Sequence, residues 1–364
     1  MRISSFLPIA LLLGATACSV SPDAGVEPDG RVEPDGGVEP DGGVGPDGPS
    51  GCGEDAPGCG IPQAKCLTIR YAVENRLNED SERVWVKIAD GQCADHLAFA
   101  NETARLIGDA EVRLSASGGR VLDIAEGVDL VIDRLLVSAF GSDSVGMQCV
   151  GKERIPSRVL FERSSIANAS YSGVYLRDFC TLTLVESIVE RNDREGIVRR
   201  ASYLGNTGGV VVRRSVIQDN GDTSPEAYTI GGVFIERDGP NQRVVEFNSV
   251  VGNIASDSIP RAPGVVCFTV APIELKHSIV WGNEGGNRDT SDPDAQVSGF
   301  CDVSHSNVQG GLAPECNLIV GEGNIDTNPL FVDPFRGDYR IQGESMAIDA
   351  ADPEATLDID FDGN

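Results

Sequence analysis

Between residues 129 and 308 the apolar positions fall in short alternating runs, and the runs repeat. The segments "SRVLFERSSIAN" (157–168), "CTLTLVESIVERN" (180–192), "VVVRRSVIQDN" (210–220), "RVVEFNSVVGN" (243–253) and "IELKHSIVWGN" (273–283) align on Ser164, Ser187, Ser215, Ser249 and Ser278. An aliphatic residue follows two positions later: Ile166, Val189, Ile217, Val251 or Val280. Another precedes by five (Val159, Leu182, Val210, Val244, Ile273) and a third by three, where Glu246 is the one departure. An Asn follows by four or five, at Asn168, Asn192, Asn220, Asn253 and Asn283. "CDVSHSNVQGG" adds a sixth unit at Ser306, and "DLVIDRLLVSA" (129–139) fits upstream. A Gly before a β-rich run recurs in step, at Gly146, Gly173, Gly196, Gly232 and Gly264. Period-two alternation in such short runs predicts strands, about three per unit. The units are too short for helical pairs or propeller blades. The expected fold is all-β: a parallel β-helix solenoid of roughly eight coils at about 4.8 Å per coil. Asn tolerates a left-handed turn and stacks on its neighbours, which accounts for the Asn column.

These columns resemble the right-handed β-helix, pectin-lyase-like superfamily, over residues 67–323. The segment 324–364, beginning "NIDTNPLFVDPFRGDYRI", is similar to the C-terminal signature of the choice-of-anchor Q β-helix family. The matching residues are Asn328–Phe331, Gly337–Tyr339 and Ser345–Ala351, preceded by "SNVQGG" at 306–311. Met346 stands where that family has Pro, and Ala351 where it has Gly. The resemblance implies an exported protein on a surface anchor, and it carries no catalytic residues with it. Leu330, Phe331, Val332 and Tyr339 are expected to close the open end of the solenoid, since a bare sheet edge invites pairing with another chain.

The first 18 residues, "MRISSFLPIALLLGATAC", have a basic start, a short apolar run and small residues, as a secretory signal does. The ending Ala15-Thr16-Ala17-Cys18 resembles a bacterial lipobox, which implies cleavage before Cys18 and acylation of its thiol. Residues 19–51 repeat "VEPDGG", which Pro and Gly keep out of helix and ladder; an extended acidic tether is expected. The chain is therefore expected at the outer membrane or cell surface, held by a lipid and not spanning the bilayer.

Nine cysteines remain besides Cys18. Cys52 and Cys59 suit a small disulfide loop in the segment 52–66. Cys66 and Cys93 bracket a short helix and strand that would form an N-terminal cap. Cys301 and Cys316 form a plausible C-terminal staple. Cys149 and Cys267 lie three residues after the landmark Gly, in the inward column shared with Leu176 and Ile235, and are expected as buried unpaired thiols.

A formal net charge of −27 excludes a nucleic-acid partner, which needs a basic surface. It also opposes a polyanionic sugar unless a local basic patch reverses the field. The pairs Arg199–Arg200 and Arg213–Arg214 could form such a patch on adjacent coils. His277 and His305 each precede a reference Ser and could stack on successive coils, in a polar outer column with Arg163, Glu186, Arg214 and Asn248. Arg200, Arg214, His277 and His305 are thus the candidate ligand-facing residues. Asp358, Asp360 and Asp362 before Gly363 have the alternation of a calcium loop but lack its downstream Glu; no other cofactor is indicated. Two functions stay open: a non-catalytic surface or carbohydrate-binding role, and a polysaccharide lyase or glycoside hydrolase.

Overall fold

The computed structural model describes residues 92–94, 97–99, 103–201, 208–222, 229–236, 243–256, 263–285, 296–312, 317–348, 350 and 352. Cys18, the tether, Cys52, Cys59, Cys66, Cys316 and Asp358, Asp360 and Asp362 lie outside them, as does the expected N-terminal helix. Of Cys93 only the backbone is described.

Each coil passes through three short strands. Sheet A stacks Ser157–Glu162, Cys180–Val185, Val210–Arg213, Arg243–Glu246, Ile273–Lys276 and Cys301–Ser304, all parallel. Sheet B stacks Ser165–Ala167, Ile188–Glu190, Val216–Gln218, Ser249–Val251, Ile279–Trp281 and Asn307–Val308. The long strands Thr103–Ser117 and Asp129–Phe140 run through both columns and join them into one 16-stranded sheet. Sheet C has eight strands, one per coil: Leu97–Phe99, Arg120–Ile124, Val145–Gly151, Val174–Asp178, Ile197–Arg200, Val233–Glu236, Val265–Phe268 and Val297–Gly299. Alternate residues point inward, so Phe161, Leu184, Val212, Val245, Leu275 and Val303 form one buried column at the heart of the solenoid. Each such side chain contributes about 1.5–3 kcal/mol on burial.

The turn from sheet A to sheet B always has two residues. The first is left-handed: Arg134, Arg163, Glu186, Arg214, Phe247, His277 and His305 have φ between 45° and 56°. The second carries a hydrogen-bonded ladder. Ser187 Oγ accepts from the Ser164 amide at 3.2 Å and donates to its own turn at Val185 O, 2.7 Å away. The same pattern links Ser187 to Ser215, Ser215 to Asn248, Asn248 to Ser278 and Ser278 to Ser306. The ladder corrects the sequence alignment by one residue in a single coil. Asn248, not Ser249, occupies the Ser position, because an amide oxygen accepts as well as a hydroxyl does. Val245 then takes the buried place assigned to Glu246, whose apparent departure disappears, and Phe247 replaces Asn248 in the outer column.

The turn after sheet B holds a second ladder. Asn192, Asn220, Asn253 and Asn283 are fully or almost fully buried, and each Nδ2 donates to the next Oδ1 at 2.8–2.9 Å until Gln296 receives the last bond. The left-handed residue here is the one before the Asn: Arg191, Asp219, Gly252 and Gly282. Asn stacking was legible, but its place in the turn was not; Asn168 alone is itself left-handed, and Ala169 fills its ladder position. The landmark glycines pack against this ladder: a Cβ on Gly173 would sit 2.6 Å from Asn192 Nδ2, and one on Gly196 2.8 Å from Asn220 Nδ2.

The corner from sheet C to sheet A corrects the cysteine reading. Cys149 and Cys267 do point inward, but they are disulfide-bonded, to Cys180 and Cys301. Cys301 is therefore not the partner of Cys316. This corner varies in length, so aligning on the A–B turn could not reveal that a cysteine at the start of one sheet A strand faces one on the preceding coil. Between the two disulfides, Arg199 occupies the same inward column as Cys149, Leu176 and Ile235. It is fully buried and donates to Asp178 O at 2.6 Å and Cys180 O at 2.9 Å.

After the last coil, Phe331–Asp333 and Asp338–Ile341 form an antiparallel hairpin. Tyr339 packs edge-on against Phe331, and its hydroxyl donates to Asp219 Oδ1 at 3.0 Å. Asp219 follows a sheet B strand three coils before the last, so the hairpin lies along the flank of the solenoid instead of closing its end. Val332 is 48% exposed and Phe335, at the hairpin tip, wholly so.

Candidate functional site

The four candidate ligand-facing residues do not gather at one place. Arg199 is in the core, which removes it from any surface patch. Arg200 faces outward from sheet C. Arg214 is in the A–B turn, paired with Glu186 at 2.9 Å, and Arg213 with Glu246 at 2.6 Å. The two RR pairs therefore form no common basic patch: Arg199 faces the core, Arg200 faces out from sheet C, and Arg213 and Arg214 at the A–B turn are each paired with a glutamate.

His277 and His305 do stack on successive coils, with ring centroids 5.5 Å apart, and Phe247 continues the stack 4.6 Å above His277. The Asp352 amide approaches His277 Nδ1 at 3.4 Å, which places residue 352 at the edge of the stack. Burial, then the neighbouring His305, holds the His277 pKa below its usual value. Parallel rings in a stack offer their nitrogens along separate edges, and among the described residues no group of His, Cys, Asp or Glu could hold a metal ion.

A different place gathers polar chemistry: the outer face of sheet C. Its strands keep register, so Asp123, Gln148, Tyr175, Val198, Phe234 and Val266 form one outward column. The lower part, Val198, Phe234 and Val266, is buried together with Ile230, and Tyr175 packs against it. The upper part is open. There a cleft of about 470 Å³ is lined by Arg120, Asp123, Asp143, Val145, Gln148 and Tyr171. Arg120 pairs with Asp123 at 2.8 Å. The Arg194 guanidinium lies over the Tyr171 ring, 3.9 Å from its centroid. Glu195 is buried beside it and accepts from Ser172 Oγ at 2.9 Å.

Two residues along each strand, a second outward column runs Val150, Arg177, Arg200. Burial raises the Tyr175 pKa, against the pull of Arg200 and Arg177 nearby, so its phenol stays a hydrogen-bond donor. The sequence reading found only Arg200 of this group. Gln148 and Tyr175 precede no reference Ser, and the sheet C strands lie between insertions of changing length; the landmark Gly was the signal that could have aligned them.

Comparison with known proteins bears on the fold. No curated protein matches the chain. A solved structure titled "Crystal structure of pectate lyase Pel9A" resembles it at 13% sequence identity and a TM-score of 0.35, covering 68% of this chain and 84% of that one. Residues 122–299 match the family model described as "Right handed beta helix region", in agreement with the described strands, which form an all-β, right-handed parallel β-helix.

Proposed function

We propose that this protein is a non-catalytic carbohydrate-binding β-helix, displayed at the cell surface by a lipid on Cys18. The observation that carries the binding role is the half-buried column Asp123–Gln148–Tyr175, whose first two members line the cleft. Successive coils set a carboxylate, an amide and a phenol about 4.8 Å apart, a spacing on the scale of one sugar ring. Planar carboxylate and amide groups suit pairs of neighbouring hydroxyls, and an aromatic ring suits the apolar face of a sugar. An open, preformed cleft with few convergent polar groups is the usual form of such a site.

A hydrolase reading would use Asp123 and Asp143, the two carboxylates on the cleft, as acid and base. Asp123 is already engaged by Arg120, which favours binding over proton transfer.

The test is a polysaccharide panel with the full-length protein, following binding by calorimetry, and reducing ends and unsaturated products with and without calcium. Gln148→Ala and Tyr175→Phe should each weaken binding about tenfold with an unchanged melting temperature, since each removes one or two direct hydrogen bonds and Tyr175→Phe keeps the packing of the ring against Val198 and Phe234. Turnover of any polysaccharide would refute the non-catalytic reading. Cys18→Ser should move the protein from the membrane to the soluble fraction, and an unchanged distribution would refute the anchor.

A further inference from the structure

Arg177 and Arg200 are directly opposite each other on neighbouring strands of sheet C, and both are exposed. Like charges in that position destabilise a sheet. The chain carries 56 acidic residues against 29 basic ones, so carboxylates are abundant. Other outward arginines have found them: Arg120 pairs with Asp123, Arg158 with Asp129, Arg163 with Asp133, Arg213 with Glu246 and Arg214 with Glu186. Neither Arg177 nor Arg200 has a carboxylate partner among the described residues. Glu236 stands one coil beyond Arg200, while Arg177 has Val150 on its other side and is the more isolated cation. Tyr175, two residues before Arg177, belongs to the proposed sugar-binding column.

We propose that Arg177 and Arg200 form an oxyanion subsite on the outer face of sheet C, two residues along from the Tyr175 column, and that the ligand is a largely neutral glycan carrying one oxyanion substituent. The inference rests on the carbohydrate-binding reading and specifies its ligand. Two guanidinium forks side by side match the oxygens of a carboxylate, sulfate or phosphate, and binding one would relieve their mutual repulsion. The cleft has the opposite character. Asp123 and Asp143 both line the cleft, and Arg120 is paired with the first of them. A polymer charged on every sugar would place anions against those carboxylates. A glycan with neutral sugars over Asp123 and Gln148 and a single anion over Arg177 and Arg200 suits both.

The experiment titrates full-length protein with a neutral β-linked glucose tetramer and with the same tetramer bearing one sulfate, one phosphate or one uronate. At least one singly charged tetramer should bind about tenfold or more tighter than the neutral one, and the advantage should shrink with added salt. Which of the three gains most identifies the source of the oxyanion. The double variant Arg177→Gln/Arg200→Gln should bind charged and neutral tetramers alike, at the wild-type affinity for the neutral one. Arg158→Gln, on sheet A, should leave the preference intact. Equal wild-type affinity for charged and neutral tetramers would overturn the subsite and leave carbohydrate binding standing. So would a preference that survives the double variant, or a polyuronate binding tightest of all. Failure of every glycan to bind would overturn both readings.

Discussion

Replacing Asn253 by Ala tests how much of the stability runs through the buried Asn ladder. Asn253 makes four side-chain hydrogen bonds, all buried. Its Oδ1 accepts from the Asn220 amide at 3.1 Å and from Asn220 Nδ2 at 2.9 Å. Its Nδ2 donates to Ile217 O at 3.0 Å and to Asn283 Oδ1 at 2.8 Å. Alanine returns none of these, and no water reaches the groups left behind without opening the coil. At roughly 1 kcal/mol for each bond, with an added penalty for stranded buried groups, the loss should be about 3–5 kcal/mol. In a chain of this size that corresponds to a melting temperature lower by roughly 5–10 °C. Asn192→Ala is the internal control. Asn192 begins the ladder, and its side chain makes two of these bonds, to the Ala169 amide and to Asn220 Oδ1. Its loss should be about 1–2 kcal/mol by the same reckoning. Urea unfolding followed by circular dichroism measures both. The reasoning fails if Asn253→Ala costs under about 1 kcal/mol, or no more than Asn192→Ala does.

Burial raises the Asp219 pKa in the folded state, so Asp219 favours folding most when protonated, and that contribution fades as pH rises through its folded value. Asp219→Asn keeps an acceptor for Tyr339 and should therefore stabilise the protein at pH 8 but not at pH 4, as read by unfolding curves at both. The His277 pKa is lowered from 6.5, so the sign reverses: its stabilising effect is present above that value and is lost as pH falls through the folded one. His277→Phe keeps the stack and should flatten the melting temperature between pH 7 and about pH 5 relative to wild type; an unchanged pH profile would count against the assignment. Removing one disulfide with Cys149→Ser/Cys180→Ser opens a link across 31 residues of chain and should cost about 3–4 kcal/mol, measured by denaturant titration. Non-reducing peptide mapping should recover Cys149 with Cys180 and Cys267 with Cys301, and a Cys301–Cys316 peptide would contradict the structure.

The solenoid was legible in the sequence because its most regular part is also its most local. The A–B turn joins two strands through two residues, so Ser, aliphatic and Asn positions keep constant offsets that an alignment can find. The slip at Ser249 arose where two polar residues, Asn248 and Ser249, could both fill a position that requires only an oxygen acceptor. The disulfides and the outward column of sheet C depend on residues separated by corners of changing length. Nothing in the spacing of Cys149 and Cys180, or of Tyr175 and Gln148, shows that they are neighbours. Arg199 misled for a further reason: an arginine beside another arginine reads as surface, and only the alternation of its strand turns it into the core, where carbonyls receive it. The hairpin at 331–341 carried the right residues for packing, but its target, Asp219, lies 120 positions away.

The constant A–B turn also decides where the gene could change length. In the six coils from Arg163-Ser164 to His305-Ser306, one left-handed residue and one Ser or Asn join the two strands. Adding a single residue there would turn the following strand's inward side chains outward and break two steps of the ladder. The sheet C to sheet A corner already ranges from the single residue Phe179 to the whole stretch 201–209 without disturbing the stack. Such a chain can lengthen, shorten or accept a reporter peptide at one corner while the opposite edge stays frozen. New surfaces can thus arise on a scaffold whose internal bonding does not change.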